Sequence, residues 1–350
     1  MKKLVKGNIA LCEGAIISGL SSYFGYPITP QNEISSYLSR KMFELKKVFI
    51  QAESEIAAIN MVLGAAVTGM RSMTSSSSPG ISLKQEAISY MAGMELPALI
   101  VNVQRGGPGL GNISGSQSDY FQAVKGGGHG DYKMIVLSPN SAQEMYEFAY
   151  DSFDLAEKYR IPVMILTDGM IGQMIEPVSF NKTKKPKNKQ NWILNGAKNR
   201  KPRSIKSLFV KEGFLERHNI KLQKKYKKIF KNEVKYELYL AEDANIIVIA
   251  YGIASRVVKS AIKLSRINNI KVGLLRPITL WPFPSKAIYS FAKTNKKFLT
   301  VELNYGQMIE DVKLAVNGIT HVEFIGRGGG GVITEYEIFK KIFHIHNNSY

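Results

Sequence analysis

Arg105 stands where an apolar, β-branched run stops. Leu99-Ile100-Val101-Asn102-Val103 reads as a buried strand, Gln104-Arg105 end it, and five of the next six residues are Gly or Pro. A strand that empties into a glycine-rich loop is a usual ligand position in an open α/β sheet. Glycines let backbone come close to a bound group, and Arg105 sets a permanent forked cation at the strand end, suited to a carboxylate or a phosphate. The competing reading is a tight strand-to-helix turn with a solvated arginine. This segment alone does not choose between them.

Two more features carry chemistry. Glu53 and Glu55 open a helical pattern with Ile56, Ile59, Leu63 and Val67 at the right spacing. An acid there either caps the helix against its dipole or, if buried beside an apolar pocket, bonds a basic ring nitrogen. The third feature is the turn-rich loop Gly25-Tyr26-Pro27-Ile28-Thr29-Pro30. In a doubly wound sheet the loops after parallel strands gather along one edge, which would bring this loop, the acids and Arg105 together.

Several catalytic patterns are missing. GGPGLG fails the dinucleotide fingerprint because Asn112 stands where its last glycine belongs, and no phosphate-binding G-x-x-x-x-G-K-[ST] run is present. The serines at 75–78 do not form a G-x-S-x-G elbow. No G-D-G stretch followed by Asn is available to hold a magnesium-bound diphosphate, and His129 is one of five scattered histidines without metal-ligand spacing, so no metal site is expected.

The elements that would position these residues alternate. Residues 1–180 read as a helix over Gly14–Phe24, another over Gln31–Phe43, a strand over Lys47–Gln51 and a helix over Glu53–Val67. A strand over Arg71–Ser76 breaks at Pro79-Gly80 into a helix over Ser82–Met94; after the Arg105 strand comes a helix over Gln117–Lys125. A strand at Met134–Leu137, a helix at Ser141–Tyr159 and a strand at Pro162–Thr167 close the block. This order predicts an α/β fold, a parallel sheet with helices on both faces. Residues 181–240 form a basic connector that opens on KTKKPKNK and contains a charged helix over Leu215–Lys231, and residues 241–350 resume the alternation as a smaller α/β domain.

At 350 residues and 45% hydrophobic content the chain can bury a large core. Its +19 charge invites a nucleic-acid reading, yet 19 basic and three acidic residues between Asn181 and Lys235 account for +16. No aromatic stacking pattern accompanies that stretch, so a solvated linker helix or a face for a protein partner is preferred to nucleic acid. No uncharged run reaches the length of a membrane span. Lys6, Asn8 and Glu13 interrupt any signal-peptide core, so a cytoplasmic location is expected. Cys12 is the single cysteine, which rules out a four-cysteine iron–sulfur site within this chain.

A resemblance now becomes specific. The strings GYPITPQNE (25–33), QAESEIAAINMVLGAA (51–66), MTSSSSPGISLKQE (73–86), VNVQRGGPGLGN (101–112), SQSDYFQAVKGGGHGD (116–131) and LLRPITLWPFP (274–284), in this order, resemble the large α-type subunit of 2-oxoacid:ferredoxin oxidoreductases. The likeness runs over nearly the whole chain, through WILNGAK (192–198) and ELNYGQMIEDV (302–312). SSSSPGISLKQE and GGGHGDY are most similar to the 2-oxoisovalerate (3-methyl-2-oxobutanoate) subgroup, ahead of the 2-oxoglutarate enzymes.

The resemblance implies a pyrimidine-type thiamine-diphosphate domain over 1–180 and a transketolase C-terminal-like domain over 241–350. It implies that Glu55 bonds the aminopyrimidine ring, that the loop at Tyr26, Pro27 and Ile28 lines the cofactor, and that Thr29 and Arg105 hold the 2-oxoacid, Arg105 through its carboxylate. It also implies that a partner β subunit completes the thiamine diphosphate site with Mg2+. A γ subunit and a ferredoxin-like subunit would complete the assembly, [4Fe-4S] clusters would sit on partners, and coenzyme A and ferredoxin would take the acyl group and the electrons. Gly115 and Gly328 depart from the family's pattern, each a flexible residue where a proline is usual.

Overall fold

A computed structural model describes residues 2–183 and 190–347; most of the KTKKPKNK run, residues 184–189, lies outside the described residues. The larger sheet has seven strands in the spatial order Thr279–Trp281, Ile135–Leu137, Pro162–Asp168, Ala98–Gln104, Ser72–Ser76, Ser22–Gly25, Val48–Gln51. Six of them, all from the first 180 residues, run parallel. Thr279–Trp281 reaches over from the C-terminal part and pairs antiparallel with Ile135–Leu137.

Ala98–Gln104 and Pro162–Asp168 form the buried centre, in register from Ala98 opposite Pro162 to Gln104 opposite Asp168. Such near-continuous apolar runs belong to strands covered on both faces. Leu99, Val101 and Val103 share one core with Leu11, Ala15, Met145 and Phe153, from helices Gly7–Ile17 and Ala142–Tyr159. Ile100 belongs to the opposite core, with Ile59, Val62, Ile88 and Met91 from helices Glu55–Val67 and Gln85–Gly93.

Ser72–Ser76 is a buried strand with a polar sequence, SMTSS. The hydroxyls of Ser72 and Ser75 are bonded laterally: Ser22 Oγ meets Ser72 Oγ at 2.7 Å, the Tyr23 hydroxyl meets Ser75 Oγ at 2.7 Å, and Ser75 Oγ donates to Gln31 Oε1 at 2.5 Å. Polar groups persist in a core on that condition.

Three expected helices are corrected. Instead of one helix over Gly14–Phe24, the chain is helical over Gly7–Ile17 and extended over Ser22–Gly25. Gly19, at φ +90°, turns the backbone between them, and Tyr23 and Phe24 are spent on the sheet. The Ser82–Met94 helix splits into Pro79–Ser82 and Gln85–Gly93, and Gln117–Lys125 supplies only a π-helical turn, Gln122–Gly126. Gln117 cannot join a helix there because its backbone is engaged elsewhere: its N–H donates to the Leu303 carbonyl at 3.0 Å and its carbonyl accepts from Asn304 Nδ2 at 2.8 Å.

The second sheet runs Val322–Gly326, Lys297–Glu302, Ile246–Ile249, Val272–Pro277, Tyr236–Tyr239. The first four strands are parallel, and Tyr236–Tyr239, at the end of the 181–240 stretch, is an antiparallel edge. The basic helix spans Phe214–Asn232 and seats Leu222, Tyr226 and Ile229 against Ile135 and Tyr159. Side chains knit the two sheets' domains together. Gln117 donates to the Tyr251 carbonyl at 2.8 Å and accepts from the Leu303 N–H at 2.9 Å. Arg276, 2% exposed, forks onto Glu144 at 2.6 and 2.8 Å and reaches Glu237 at 2.8 Å. Among the described residues no helix is long and apolar enough to cross a membrane.

Candidate active site

At the end of Ala98–Gln104 the backbone doubles back over its own arginine. Gly109 and Gly111 have φ of +67° and +60°, and a Cβ on Gly111 would lie 1.6 Å from the Gly106 carbonyl oxygen. Only glycine permits that close return. Arg105 Nη2 donates to the Leu110 carbonyl at 2.8 Å, Nη1 donates to the Thr29 carbonyl at 3.0 Å, and the buried Nε has no partner among the described residues. Gly115 bridges to Arg105 across the loop, with the Met170 N–H 3.0 Å from where its Cβ would be, and a Cβ on Gly328 would fall 2.5 Å from the Tyr305 ring. Both departures from the proline pattern sit in close contacts.

Thr29 is exposed and its Oγ1 accepts from Asn32 Nδ2 at 3.2 Å. The turn beneath it is clamped from the N-terminus. Asn8 Nδ2 and Gln173 Nε2 both donate to the Pro30 carbonyl, at 3.2 and 3.1 Å, and both reach Glu33, which also pairs with Lys6 at 3.1 Å. Tyr26 and Pro27 are exposed and Ile28 is half-buried; the Tyr26 carbonyl accepts from Gln31 Nε2 at 3.1 Å.

Glu55 is the first residue of its helix, but the cap is Ser54, whose Oγ accepts the Ala57 N–H at 3.1 Å. Capping is therefore assigned to another side chain, and Glu53 lies exposed before it. Glu55 is 7% exposed, and a Cβ on Gly80 would come 2.6 Å from its Oε1 and 2.1 Å from Ser76 Oγ. The hydroxyls of Ser76 and Ser77 are buried without a partner among the described residues.

Sequence reading missed the residues that connect these parts. Ser78, at φ +27°, accepts the Arg105 N–H at 3.0 Å and donates to Asp119 Oδ2 at 2.6 Å. Asn102 Nδ2 reaches the same carboxylate oxygen at 2.8 Å and its Oδ1 accepts the Ser78 N–H at 3.1 Å. Burial raises the Asp119 carboxyl above its ordinary range against the pull of Ser78 and Asn102. Lys84 is fully buried, donating to Thr74 Oγ1 at 2.6 Å and to the Ser75 carbonyl at 3.1 Å. Lys84 is followed by Gln85 and Glu86, so nothing in its neighbourhood marks it as buried. His129 meets Tyr90 edge-on, with ring centres 6.4 Å apart.

Beside Ser78 and Asp119 opens a cleft of about 670 Å³, closed on its far side by Asn304–Gln307 and Gly328–Gly329 of the second domain. Among the described residues no lysine or arginine lines it.

Known proteins match this arrangement over its whole length. Residues 13–239 match the family described as pyruvate flavodoxin/ferredoxin oxidoreductase, thiamine diP-bdg, and residues 244–338 match pyruvate:ferredoxin oxidoreductase core domain II. The chain belongs to the 2-oxoacid:ferredoxin oxidoreductase family. Ketoisovalerate oxidoreductase subunit VorB of Methanothermobacter marburgensis is 51% identical over 99% of both chains, and 2-oxoglutarate synthase subunit KorA of Methanothermobacter thermautotrophicus is 36% identical over 98% of both. The solved 2-oxoglutarate:ferredoxin oxidoreductase from Magnetococcus marinus superposes with a TM-score of 0.83 at 29% identity, covering 98% of this chain and 65% of that one. A split-gene transketolase shares the fold at 12% identity and a TM-score of 0.62.

The matched family is a thiamine-diphosphate-binding one, and the residues around Glu55 fit one end of that cofactor. A desolvated carboxylate at Glu55, the room left by Gly80 and the partnerless hydroxyls of Ser76 and Ser77 suit a flat, nitrogen-rich ring.

Proposed function

We propose that this chain is the large subunit of a 2-oxoacid:ferredoxin oxidoreductase that converts a branched-chain 2-oxoacid, 2-oxoisovalerate, to its acyl-coenzyme A and CO2, with electrons passing to ferredoxin. When bound, thiamine diphosphate supplies the carbon nucleophile and the electron sink for decarboxylation. Glu55 holds the proton at the pyrimidine ring nitrogen. Arg105 takes the substrate carboxylate, and Thr29 fixes the oxo end beside it. Tyr26, Pro27 and Ile28 would line the bound cofactor.

The observation that carries the reading is the 51% identity, end to end, with a ketoisovalerate oxidoreductase subunit. The site agrees with it. Arg105 stands at the end of the central strand with its guanidinium fixed on the Thr29 and Leu110 carbonyls, a forked cation suited to a carboxylate. Tyr26, Ile50, Ile56, Leu83, Leu110 and Ile113 are exposed apolar side chains, on the loops, edge strand and helix starts that carry the site. A group of this kind supports burial against another chain. That chain is the thiamine-binding β subunit, which holds the diphosphate through Mg2+; [4Fe-4S] clusters belong to partners because Cys12 is this chain's only cysteine and is buried. A γ subunit and a ferredoxin-like subunit complete a cytoplasmic assembly.

The test is viologen reduction by the chain co-assembled with its thiamine-binding partner, comparing 2-oxoisovalerate with 2-oxoglutarate. Higher kcat/KM for 2-oxoisovalerate is expected. Preference for 2-oxoglutarate overturns the substrate, and silence with every 2-oxoacid overturns the activity.

A further inference from the structure

We infer that the exposed lysine face of helix Phe214–Asn232 docks a transient protein partner with a carboxylate-rich surface, and that this partner is the ferredoxin that takes the electrons. The identity of the acceptor rests on the activity proposed above; the surface rests on the helix itself.

Helix Phe214–Asn232 carries six lysines and one arginine against a single acid, Glu216. Its lysines fall into two sets. Lys221 and Lys225 are paired with Glu95, Lys225 at 3.1 Å, and Lys225 also donates to the Arg160 carbonyl at 3.0 Å. Lys224, Lys227, Lys228 and Lys231 are exposed, with no carboxylate partner among the described residues. The 3.6-residue turn puts all four on one face, opposite Leu222, Tyr226 and Ile229, which are seated in the core. Ile220 is exposed on the same face one turn earlier. An aliphatic contact therefore heads a row of cations about 17 Å long. Beside it lies a groove of about 780 Å³, lined by Leu215, Ile220, Lys224 and Lys227 with two acids, Asp131 and Glu216; the row continues beyond the groove to Lys231.

The chemistry of this face selects its partner. Cores of permanent interfaces are depleted in lysine, whereas short-lived redox contacts are small and steered by charge. A permanent subunit fits the apolar group at Tyr26, Ile50 and Leu110, and a visiting carrier fits the lysine row. Ammonium groups are compact and strongly hydrated and lack the arginine fork, which suits contacts that form and release quickly. Single-stranded nucleic acid would want open aromatic faces for its bases. Here Arg217 lies 4.5 Å over the Phe214 ring, and His218 stacks on Phe209 with ring centres 4.9 Å apart. The row anchors the carrier by charge, and the electron leaves from a cluster on a partner subunit.

Two acceptors test this in the complex with the thiamine-binding partner. Methyl viologen takes electrons without docking; an acidic two-cluster ferredoxin must dock. Lys224→Gln, Lys227→Gln, Lys228→Gln and Lys231→Gln combined are expected to raise KM for ferredoxin roughly 10- to 100-fold at low salt, with kcat and viologen-linked turnover little changed. Wild-type KM for ferredoxin should climb with salt, and the variant's should stay nearly flat. Calorimetric binding of the same ferredoxin to the complex, without 2-oxoacid, should weaken by the same factor. An unmoved KM and binding constant in the variant overturn the proposal, as does salt-dependent binding of RNA or DNA that these substitutions abolish. If the wild-type complex reduces neither acceptor with any 2-oxoacid, the proposed activity fails, and calorimetry still decides the docking.

Discussion

Arg105 and Thr29, 76 positions apart in the chain, are joined by a hydrogen bond of 3.0 Å from the guanidinium Nη1 to the threonine carbonyl. With Nη2 on the Leu110 carbonyl at 2.8 Å, the arginine is held at both tips before any ligand arrives. A cation anchored in this way loses little freedom when an anion binds.

Arg105→Ala should reduce kcat/KM for 2-oxoisovalerate roughly 30- to 150-fold, the weight of a charge-assisted contact of about 2–3 kcal/mol. Arg105→Lys should recover little, because an ammonium cannot reach both carbonyls and still present a fork. Steady-state kinetics of the complex decide, and an alanine variant of wild-type efficiency rules out the carboxylate role.

Ser78 joins the Arg105 backbone to Asp119, and its φ of +27° is an uncomfortable one for a side chain. Ser78→Ala should cost about 1–3 kcal/mol in denaturant unfolding by leaving Asp119 short of a donor. Ser78→Gly should cost less, since glycine relieves the backbone. Equal losses in the two variants would remove the strain from the account.

Lys84 gives the chain a distinctive pH response. Its folded value, about 7, lies below the ordinary 10.5, so between these limits the unfolded chain binds the extra proton. Its contribution to stability therefore rises with pH from about 7 towards 10, and is least below 7, where both states are protonated. Melting curves of the wild type and Lys84→Met across that window should differ in slope, with the methionine variant flatter. Parallel curves would show that Lys84 titrates normally.

Gln117 carries the joint between the two halves, through Tyr251, Leu303 and Asn304. Gln117→Ala strands a buried carbonyl and a buried N–H, which should cost about 2–4 kcal/mol. Scanning calorimetry should show one wild-type transition broadening or dividing in the variant. An unchanged single transition would place the joint elsewhere.

Lys224, Lys227, Lys228 and Lys231 lie on a helix whose other face is seated in the core. Replacing all four with Gln should leave viologen-linked turnover within about twofold and stability within about 1 kcal/mol. Steeply salt-dependent binding of wild-type chain to DNA or RNA would instead give this face a nucleic-acid role.

Much of the site was visible in local pattern. The strand ending at Arg105, the turn at Thr29 and the helix opening at Glu55 each announce themselves through neighbours in the chain, because periodicity and turn chemistry are short-range properties. Ser72–Ser76 was recognised only as a strand-like piece, and nothing in SMTSS marked it as a buried strand of the larger sheet; its burial depends on Tyr23, Gln31 and Lys84. The Gly14–Phe24 expectation failed for a related reason: Tyr23 and Phe24 are as apolar as helix residues, and only the neighbouring strands commit them to the sheet.

By itself, then, the amino-acid order determined an alternating α/β chain, a glycine-rich loop directly after Arg105, and a basic stretch set apart from two nearly neutral blocks. The tertiary structure alone decided that Ser54 takes the cap and leaves Glu55 buried, that Ser78 and Asp119 sit under the Arg105 loop, and that a lysine is enclosed against Thr74 and Ser75. Each of these depends on groups that meet across the sheet edge. Their burial and partners, and hence their charge, do not exist until the chain is folded.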